Sequence, residues 1–224
     1  MAETEAELNL IENLKHKSVL ELGYGSGHSL YYLWKHKEAR ELWGLDLSPQ
    51  QLEFAQEFLQ QQSVSANLFL ASMDENPGLP EDYFDCVISI YALGWTPDLA
   101  GTLGLVHSYL KPGGIFVFSW EHPVYRCLSY NEEVQEYIFT SSYLTEGSEL
   151  NPVWRGVETV TNPRKLSTYA NGIIKAGLVL ERLVESELNV EIAREKDYAL
   201  EKWYSVPRAQ LLPTTFIIKA RKLK

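Results

Sequence analysis

Val19-Leu20-Glu21-Leu22-Gly23-Tyr24-Gly25-Ser26-Gly27 is an apolar run that breaks into glycine at every second position. With Ser18 in front, its first half reads as a short buried strand, and a helical pattern from about His28 to Lys37 follows at once. Glycine takes positive φ cheaply and lets a ligand approach the backbone closely. In open α/β sheets that ligand sits beyond the carboxyl ends of the strands. Strand, glycine turn and helix in this order therefore predict a doubly wound, mostly parallel sheet with a binding site at the turn.

Both directions along the chain support that fold class. A second strand, Leu42 to Asp46, runs into Ser48-Pro49, an N-cap with proline at the first helical position. Leu52, Phe54, Ala55, Phe58 and Leu59 then recur at helical spacing. Asn67 to Ala71 reads as a third strand and Phe84 to Tyr91 as a fourth. A helix from Pro97 to Leu110 stops at Lys111-Pro112-Gly113-Gly114, and a fifth strand, Ile115 to Trp120, follows. Upstream, Met1 to Glu12 reads as the start of an amphipathic helix. Between Pro123 and Pro163 the periodicity weakens and aromatics are frequent, which reads as a cap insertion of about residues 123–165 on a single domain spanning 1–224. A helix (Ser167 to Ala176), a strand (Leu178 to Glu185) and a last strand (Thr214 to Ala220) complete seven strands, the end pair being an antiparallel hairpin.

The 224 residues carry a formal charge of −10 and are 45% hydrophobic, enough for a substantial core. Nucleic-acid binders draw most of their affinity from neutralising phosphates, so the missing basic stripe argues against DNA or RNA. No apolar run reaches the roughly 18 residues of a membrane span and no signal peptide opens the chain, so the expected location is the cytoplasm. The two cysteines, Cys86 and Cys127, make no paired zinc-type spacing, and no metal is expected.

The ligand class follows from details of the loop. A dinucleotide loop is G-x-G-x-x-G, and here His28 stands where its third glycine belongs. The Gly-Lys-Ser/Thr ending of a phosphate loop is also missing. Glu21, two residues before the first glycine, places a carboxylate toward the ligand's cationic end. Asp46, about 20 residues on, suits ribose hydroxyls. Ser72 and Met73 end the third strand, where they can border a purine.

These segments together resemble the class I S-adenosylmethionine-dependent methyltransferases, in particular the small-molecule branch called methyltransferase type 11. Glu-Leu-Gly-Tyr-Gly-Ser-Gly is similar to the first family motif, Gly44-Leu45-Asp46-Leu47-Ser48 to the second, Phe84-Asp85-Cys86-Val87-Ile88-Ser89 to the fourth-strand motif, and Leu110-Lys111-Pro112-Gly113-Gly114 to the turn before the fifth strand. The resemblance implies a Rossmann-like fold, S-adenosyl-L-methionine as cofactor, and a role for each matched residue. Glu21 holds the amino group, and Gly23, Tyr24, Gly25 and Gly27 line the methionine arm. Asp46 binds the ribose, Leu47 packs on adenine, and Ser72 and Met73 edge the base. Tyr24 departs from the small residue or cysteine usual there, and Ser72 from an aspartate. The stretch before the first strand is short beside the family's N-terminal lid, which implies a more open cofactor pocket.

Methyl transfer from a sulfonium is an in-line displacement that needs placement and exclusion of water, and a base only when the acceptor is protonated. His122, in Ser119-Trp120-Glu121-His122-Pro123, is the candidate base, with turn-ordering as the alternative reading. Tyr91 and Trp95 follow the fourth strand and face the methyl or the acceptor; Tyr91-Ala92-Leu93 stands where planar-nitrogen methyltransferases carry Asn/Asp-Pro-Pro-aromatic. Glu121, Tyr125, Arg126, Trp154, Arg155 and Tyr169 are candidate acceptor-pocket residues, an arginine suiting a carboxylate. The partner expected is a small methyl acceptor, bound by a monomer or homodimer. Two other readings stay open: a non-catalytic S-adenosylmethionine-binding protein, and an NAD(P)-dependent oxidoreductase with a degenerate loop.

Overall fold

In the computed structural model, which describes residues 5–154, 157–187 and 205–224, the glycine stretch ends an interior strand of a seven-stranded sheet. The strands are β1 (Ser18–Leu22), β2 (Glu41–Asp46), β3 (Asn67–Leu70), β4 (Phe84–Ile90) and β5 (Leu110–Glu121), followed after an intervening segment by β10 (Leu178–Glu185) and β11 (Thr215–Lys222). They lie in the order β10-β11-β5-β4-β1-β2-β3. β1 pairs in parallel with both β2 and β4, and β11 runs antiparallel to both β5 and β10. The chain moves outward from β1 to β3 in one direction and from β4 to β5 in the other. The reversal falls between β1 and β4, the place where doubly wound sheets open a crevice.

Alternation along β1 divides the core. Leu20 and Leu22 pack with α4 (Leu99–Tyr109) and α5 (Leu166–Lys175) on one face. Val19 packs on the other with α2 (His28–Lys37), α3 (Pro49–Gln61) and the N-terminal segment. α3 starts as its sequence demands: Pro49 occupies the first turn and the Ser48 hydroxyl accepts from the Gln51 N–H at 3.3 Å. Such a cap contributes about 1 kcal/mol.

Two elements differ from the sequence reading, and a third agrees with it. The helix expected over Met1 to Glu12 is, among the described residues, one turn, α1 (Glu5–Leu8). Asn9 adopts φ +47 and ends it, and Leu10 and Ile11 continue as buried non-helical chain. β5 begins at Leu110 rather than after the glycines, because the Lys111–Gly114 stretch stays beside β4 through an irregular register. The terminal antiparallel hairpin stands at one edge of the sheet as expected, with β10 outermost and β11 between it and β5.

The segment without clear periodicity holds two small antiparallel hairpins, β6 (Leu128–Asn131) with β7 (Glu136–Phe139) and β8 (Glu149–Trp154) with β9 (Val157–Thr161). Strands of four to six residues are too short to announce an alternating pattern. Near the end, the buried Arg208 of α6 (Val206–Ala209) lies 4.0 Å over the Tyr125 ring and donates to the carbonyls of Tyr125 and Leu128. Among the described residues no helix is long and apolar enough to cross a membrane.

Candidate functional site

The glycine loop is shaped by contacts as well as by φ. Gly23 sits at φ +75, and a Cβ there would lie 2.1 Å from the Ala92 Cβ, on the chain leaving β4. Only a bare backbone lets β1 and β4 turn out beside each other at this point. Gly25, at φ +51, would bring a Cβ no nearer than 3.8 Å to another residue, the Gln51 side chain, and donates its N–H to Asp46 Oδ2 at 2.9 Å. Gly27, at φ +82, caps α2. Tyr24 turns away from the crevice: its ring is 2% exposed and fills the space above Gly44, where any Cβ would come within 2.6 Å of it. Burial pushes its phenol up to about 12.

Two carboxyls converge on this loop. Asp46 ends β2 and accepts from Gly25 N–H through Oδ2 and from Ser48 N–H through Oδ1, both at 2.9 Å. It thereby ties the glycine loop to the start of α3. Glu21 is 1% exposed; its Oε1 accepts the Ser29 hydroxyl at 2.5 Å, and its Oε2 has no partner. Burial, helped by the nearby Asp46 charge and opposed by Ser29, raises its pKa to about 8. A buried acid with one oxygen unused is costly to keep unless something cationic uses it.

The crevice itself is a cleft of about 500 Å³, a size typical of small-ligand sites. Gly23, Asp46, Leu47, Ser72, Met73 and Trp95 line it, so the structure brings together residues from four separate stretches of sequence. Leu47 is 71% exposed, an apolar side chain held open to the cleft. The Ser72 hydroxyl donates to Asp74.

A family profile for a methyltransferase domain matches residues 19–114. An uncharacterised protein of Haemophilus influenzae is 30% identical over 190 residues, covering 81% of this chain and 74% of that protein. Two solved structures superpose over nearly the whole chain. An S-adenosylmethionine-dependent methyltransferase from Mesorhizobium loti has a TM-score of 0.75 at 26% identity, covering 97% of this chain and 96% of that one. A putative one from Listeria monocytogenes has a TM-score of 0.77 at 23% identity, covering 98% of each. The chain belongs to the class I S-adenosylmethionine-dependent methyltransferases. It spans a smaller share of some named relatives, 42% of a sterol 24-C-methyltransferase of Aspergillus fumigatus for example.

S-adenosylmethionine is the cofactor of this family, and the residues of this methyltransferase fit it. The orphaned Glu21 oxygen is the right acceptor for an ammonium, and Gly23 presents bare backbone to the cleft. Asp46 keeps further lone pairs for hydroxyls, and Leu47 and Met73 offer apolar surface for a ring.

The remaining candidates are more dispersed. Tyr91 follows β4 in a left-handed conformation, φ +53; its hydroxyl bonds to that of Thr215 and its ring lies 6.1 Å from Trp120. It stands next to Ala92, which lines the cleft. Trp95 forms cleft wall and meets Trp120 edge-on at 5.7 Å. Glu121 closes β5 opposite Thr215. Arg126 reaches across the insertion to Glu149 at 2.5 Å. Tyr125 and Tyr169 are fully buried, Tyr125 under Arg208 and Tyr169 in the core against Phe118 and Phe216. Neither ring faces the cleft, because each lies on the inward side of its element. Arg155 and the Trp154 side chain lie outside the described residues.

His122 does not have the geometry of a free base. It is 5% exposed, its Nε2 bonds to Glu185 Oε1 at 2.8 Å, and its Nδ1 accepts the Val124 N–H at 3.2 Å. Burial lowers its pKa against the opposing pull of Glu185. Both ring nitrogens are used in holding the turn after β5, so none is left for a substrate proton, and the ring does not line the cleft.

Two residues that the sequence reading passed over brace the cleft wall. Arg164 donates from Nη2 to the carbonyls of Thr96 (2.6 Å) and Pro97 (3.3 Å), and from Nη1 to that of Gly94 (3.4 Å). Asn162 donates to the Trp95 carbonyl at 3.2 Å. Trp95, Thr96 and Pro97 line the cleft, as do Thr159 and Val160 of β9, and the buried Thr159 hydroxyl has no partner. No sequence signal marks a donor whose acceptors are backbone carbonyls almost 70 positions away.

Proposed function

We propose that this protein transfers the methyl group of S-adenosylmethionine to a small-molecule acceptor. The observation that carries the reading is the buried Glu21 carboxyl with its free oxygen, set beside a glycine loop that opens into a ligand-sized cleft. When bound, the cofactor supplies a methyl group on a positively charged sulfur. The protein's residues then have four tasks: Glu21 holds the ammonium, Asp46 the ribose, Leu47 and Met73 the adenine, and Trp95 with Thr96 and Pro97 close the far wall. Ser72 adds little directly, since its hydroxyl is engaged by Asp74.

No general base is assigned. His122 orders the turn after β5, and Arg126 is held by Glu149 in the insertion. Catalysis on this reading comes from placing an acceptor that is already nucleophilic, or that loses its proton to water, behind the methyl carbon. The acceptor is placed at the carboxyl ends of β4 and β5 and not by nucleic-acid-type basic surface, in keeping with the −10 charge. A monomer or homodimer in the cytoplasm is the accompanying expectation.

The test is calorimetric titration with S-adenosylmethionine and S-adenosylhomocysteine, with Asp46→Ala alongside. Micromolar binding that weakens at least tenfold in the variant supports the reading, because the change removes the ribose acceptor and also unties Gly25 and Ser48. A folded wild-type protein that binds neither compound overturns it, and NAD(P) is then the next ligand to titrate.

A further inference from the structure

A second cavity, of about 170 Å³, lies on the α2 face of the sheet. Its walls come from three places. Ile88 and Ile90 of β4, Val117 of β5 and Ile217 of β11 form the floor; Leu33 of α2 and Leu8 of α1 close the sides. It is joined to the glycine loop at one point. Ser29, in the first turn of α2, lines the cavity and donates its hydroxyl to Glu21, and Ile88 is the strand partner of Glu21 in the β1–β4 register. Ile90, the last residue of β4, is 40% exposed, so the cavity opens toward the carboxyl edge of the sheet.

The lining is almost entirely apolar; Tyr32 and Ser119 add hydroxyls, and the Glu5 carboxylate and the Ser29 hydroxyl are already engaged. Glu5 pairs with Lys37 at 2.9 Å and accepts from the N–H groups of Ile11 and Leu10. Ser29 is given to Glu21. No lysine or arginine lines the space among the described residues, so nothing there neutralises a phosphate or carboxylate. An apolar cavity of about 150 Å³ is known to admit benzene. A phosphorylated nucleoside or a peptide segment finds no room, and a phosphate finds no cation.

We propose that this cavity receives the apolar body of the methyl acceptor, and that the acceptor is a compact, uncharged molecule built on about one ring or a short branched chain. The inference rests on the methyltransferase reading of the adjoining cleft and adds the class of substrate to it.

The experiment uses p-cresol as a one-ring probe and 1-naphthol as a two-ring probe. Each is titrated into the free protein and into protein saturated with S-adenosylhomocysteine. p-Cresol is expected to bind both forms, with 1-naphthol at least tenfold weaker. Val117→Phe, which fills the floor, is expected to weaken p-cresol more than tenfold and to leave S-adenosylhomocysteine within about twofold. Leu33→Ala, which enlarges the space and keeps the proposal testable should the overpacked variant misfold, is expected to improve 1-naphthol at least threefold. Absence of p-cresol binding, equal binding of the two probes, or indifference to both substitutions overturns the proposal. Loss of S-adenosylhomocysteine binding alone, with p-cresol still sensitive to Val117→Phe, overturns the cofactor reading and leaves the cavity's ligand class standing.

Discussion

Replacing Glu21 by glutamine separates what one buried carboxyl does for binding from what it costs the fold. In the free protein Oε2 has no partner and the pKa stands at about 8, chiefly because burial disfavours the charge. At pH 7 a group with that pKa is about nine-tenths protonated. An ammonium arriving beside it favours the charged form, since opposite charges within roughly 4–6 Å lower a carboxyl pKa. Binding at pH 7 therefore releases about 0.9 proton per site. Titration with S-adenosylhomocysteine in phosphate and in Tris, whose ionisation enthalpies differ, counts that proton. Glu21→Gln removes the release and weakens binding by roughly 10- to 150-fold, the worth of a hydrogen bond to a charged group at about 1.5–3 kcal/mol.

The same carboxyl gives folding a pH dependence of definite sign. Its folded pKa of about 8 lies above its ordinary value of 4.5, so the folded chain holds a proton that the unfolded chain has lost between those limits. Its contribution to stability is whole below about pH 4.5 and is lost as pH rises through 8, with a slope of up to about 1.4 kcal/mol per unit. Glu21→Gln flattens the Tm-against-pH curve between about pH 5 and 8. Identical apparent enthalpies in the two buffers, or an unchanged Tm slope in the variant, refute the reasoning.

Other substitutions test separate parts of the site. Gly23→Ala forces a Cβ into Ala92 and a left-handed φ worth about 1–2 kcal/mol of strain, so Tm falls and S-adenosylhomocysteine binding drops beyond detection; retained affinity shows that β1 and β4 do not meet as described. Arg164→Met releases the carbonyls of Gly94, Thr96 and Pro97 and raises the Kd for S-adenosylhomocysteine about tenfold, with partial recovery in Arg164→Lys; a Tm change with no change in Kd assigns Arg164 to stability alone. His122→Asn keeps an acceptor for Val124 N–H but loses Glu185, costing about 1 kcal/mol and a few degrees of Tm. The pH profile of kcat/KM stays unshifted in that variant; disappearance of an acid limb makes His122 a base after all.

What the sequence disclosed here depended on whether a residue's task is local. Gly23, Gly25 and Gly27 are demanded by their own φ and by what a Cβ would strike, so the spacing alone exposed the turn. Asp46 and Leu47 were readable because they end a strand whose successor begins with a visible cap, Ser48-Pro49. Glu21 was readable from its offset to the glycines. Tyr24 shows the limit of that logic: it sits within the motif, yet its side chain serves the core through Gly44 in the neighbouring strand.

Position at the sheet's carboxyl edge was the weaker clue, because an edge has an inside as well as an outside. His122, Tyr125 and Tyr169 all lie near it in sequence or space, and each turns its ring inward: His122 onto Glu185 and Val124, Tyr125 beneath Arg208, Tyr169 among phenylalanines. Those partners are more than 40 positions away except Val124, so no local pattern distinguishes an aromatic that faces a ligand from one that faces the core. Arg164 is the converse case. It shapes the ligand cleft without touching the motif, because its acceptors are carbonyls that every residue type carries equally. Backbone demands leave a mark on the residue that meets them, whereas side chains that act on someone else's backbone leave none. The wall of this cleft is built by the second kind, which is why the cofactor loop was legible and the residues that hold it shut were not.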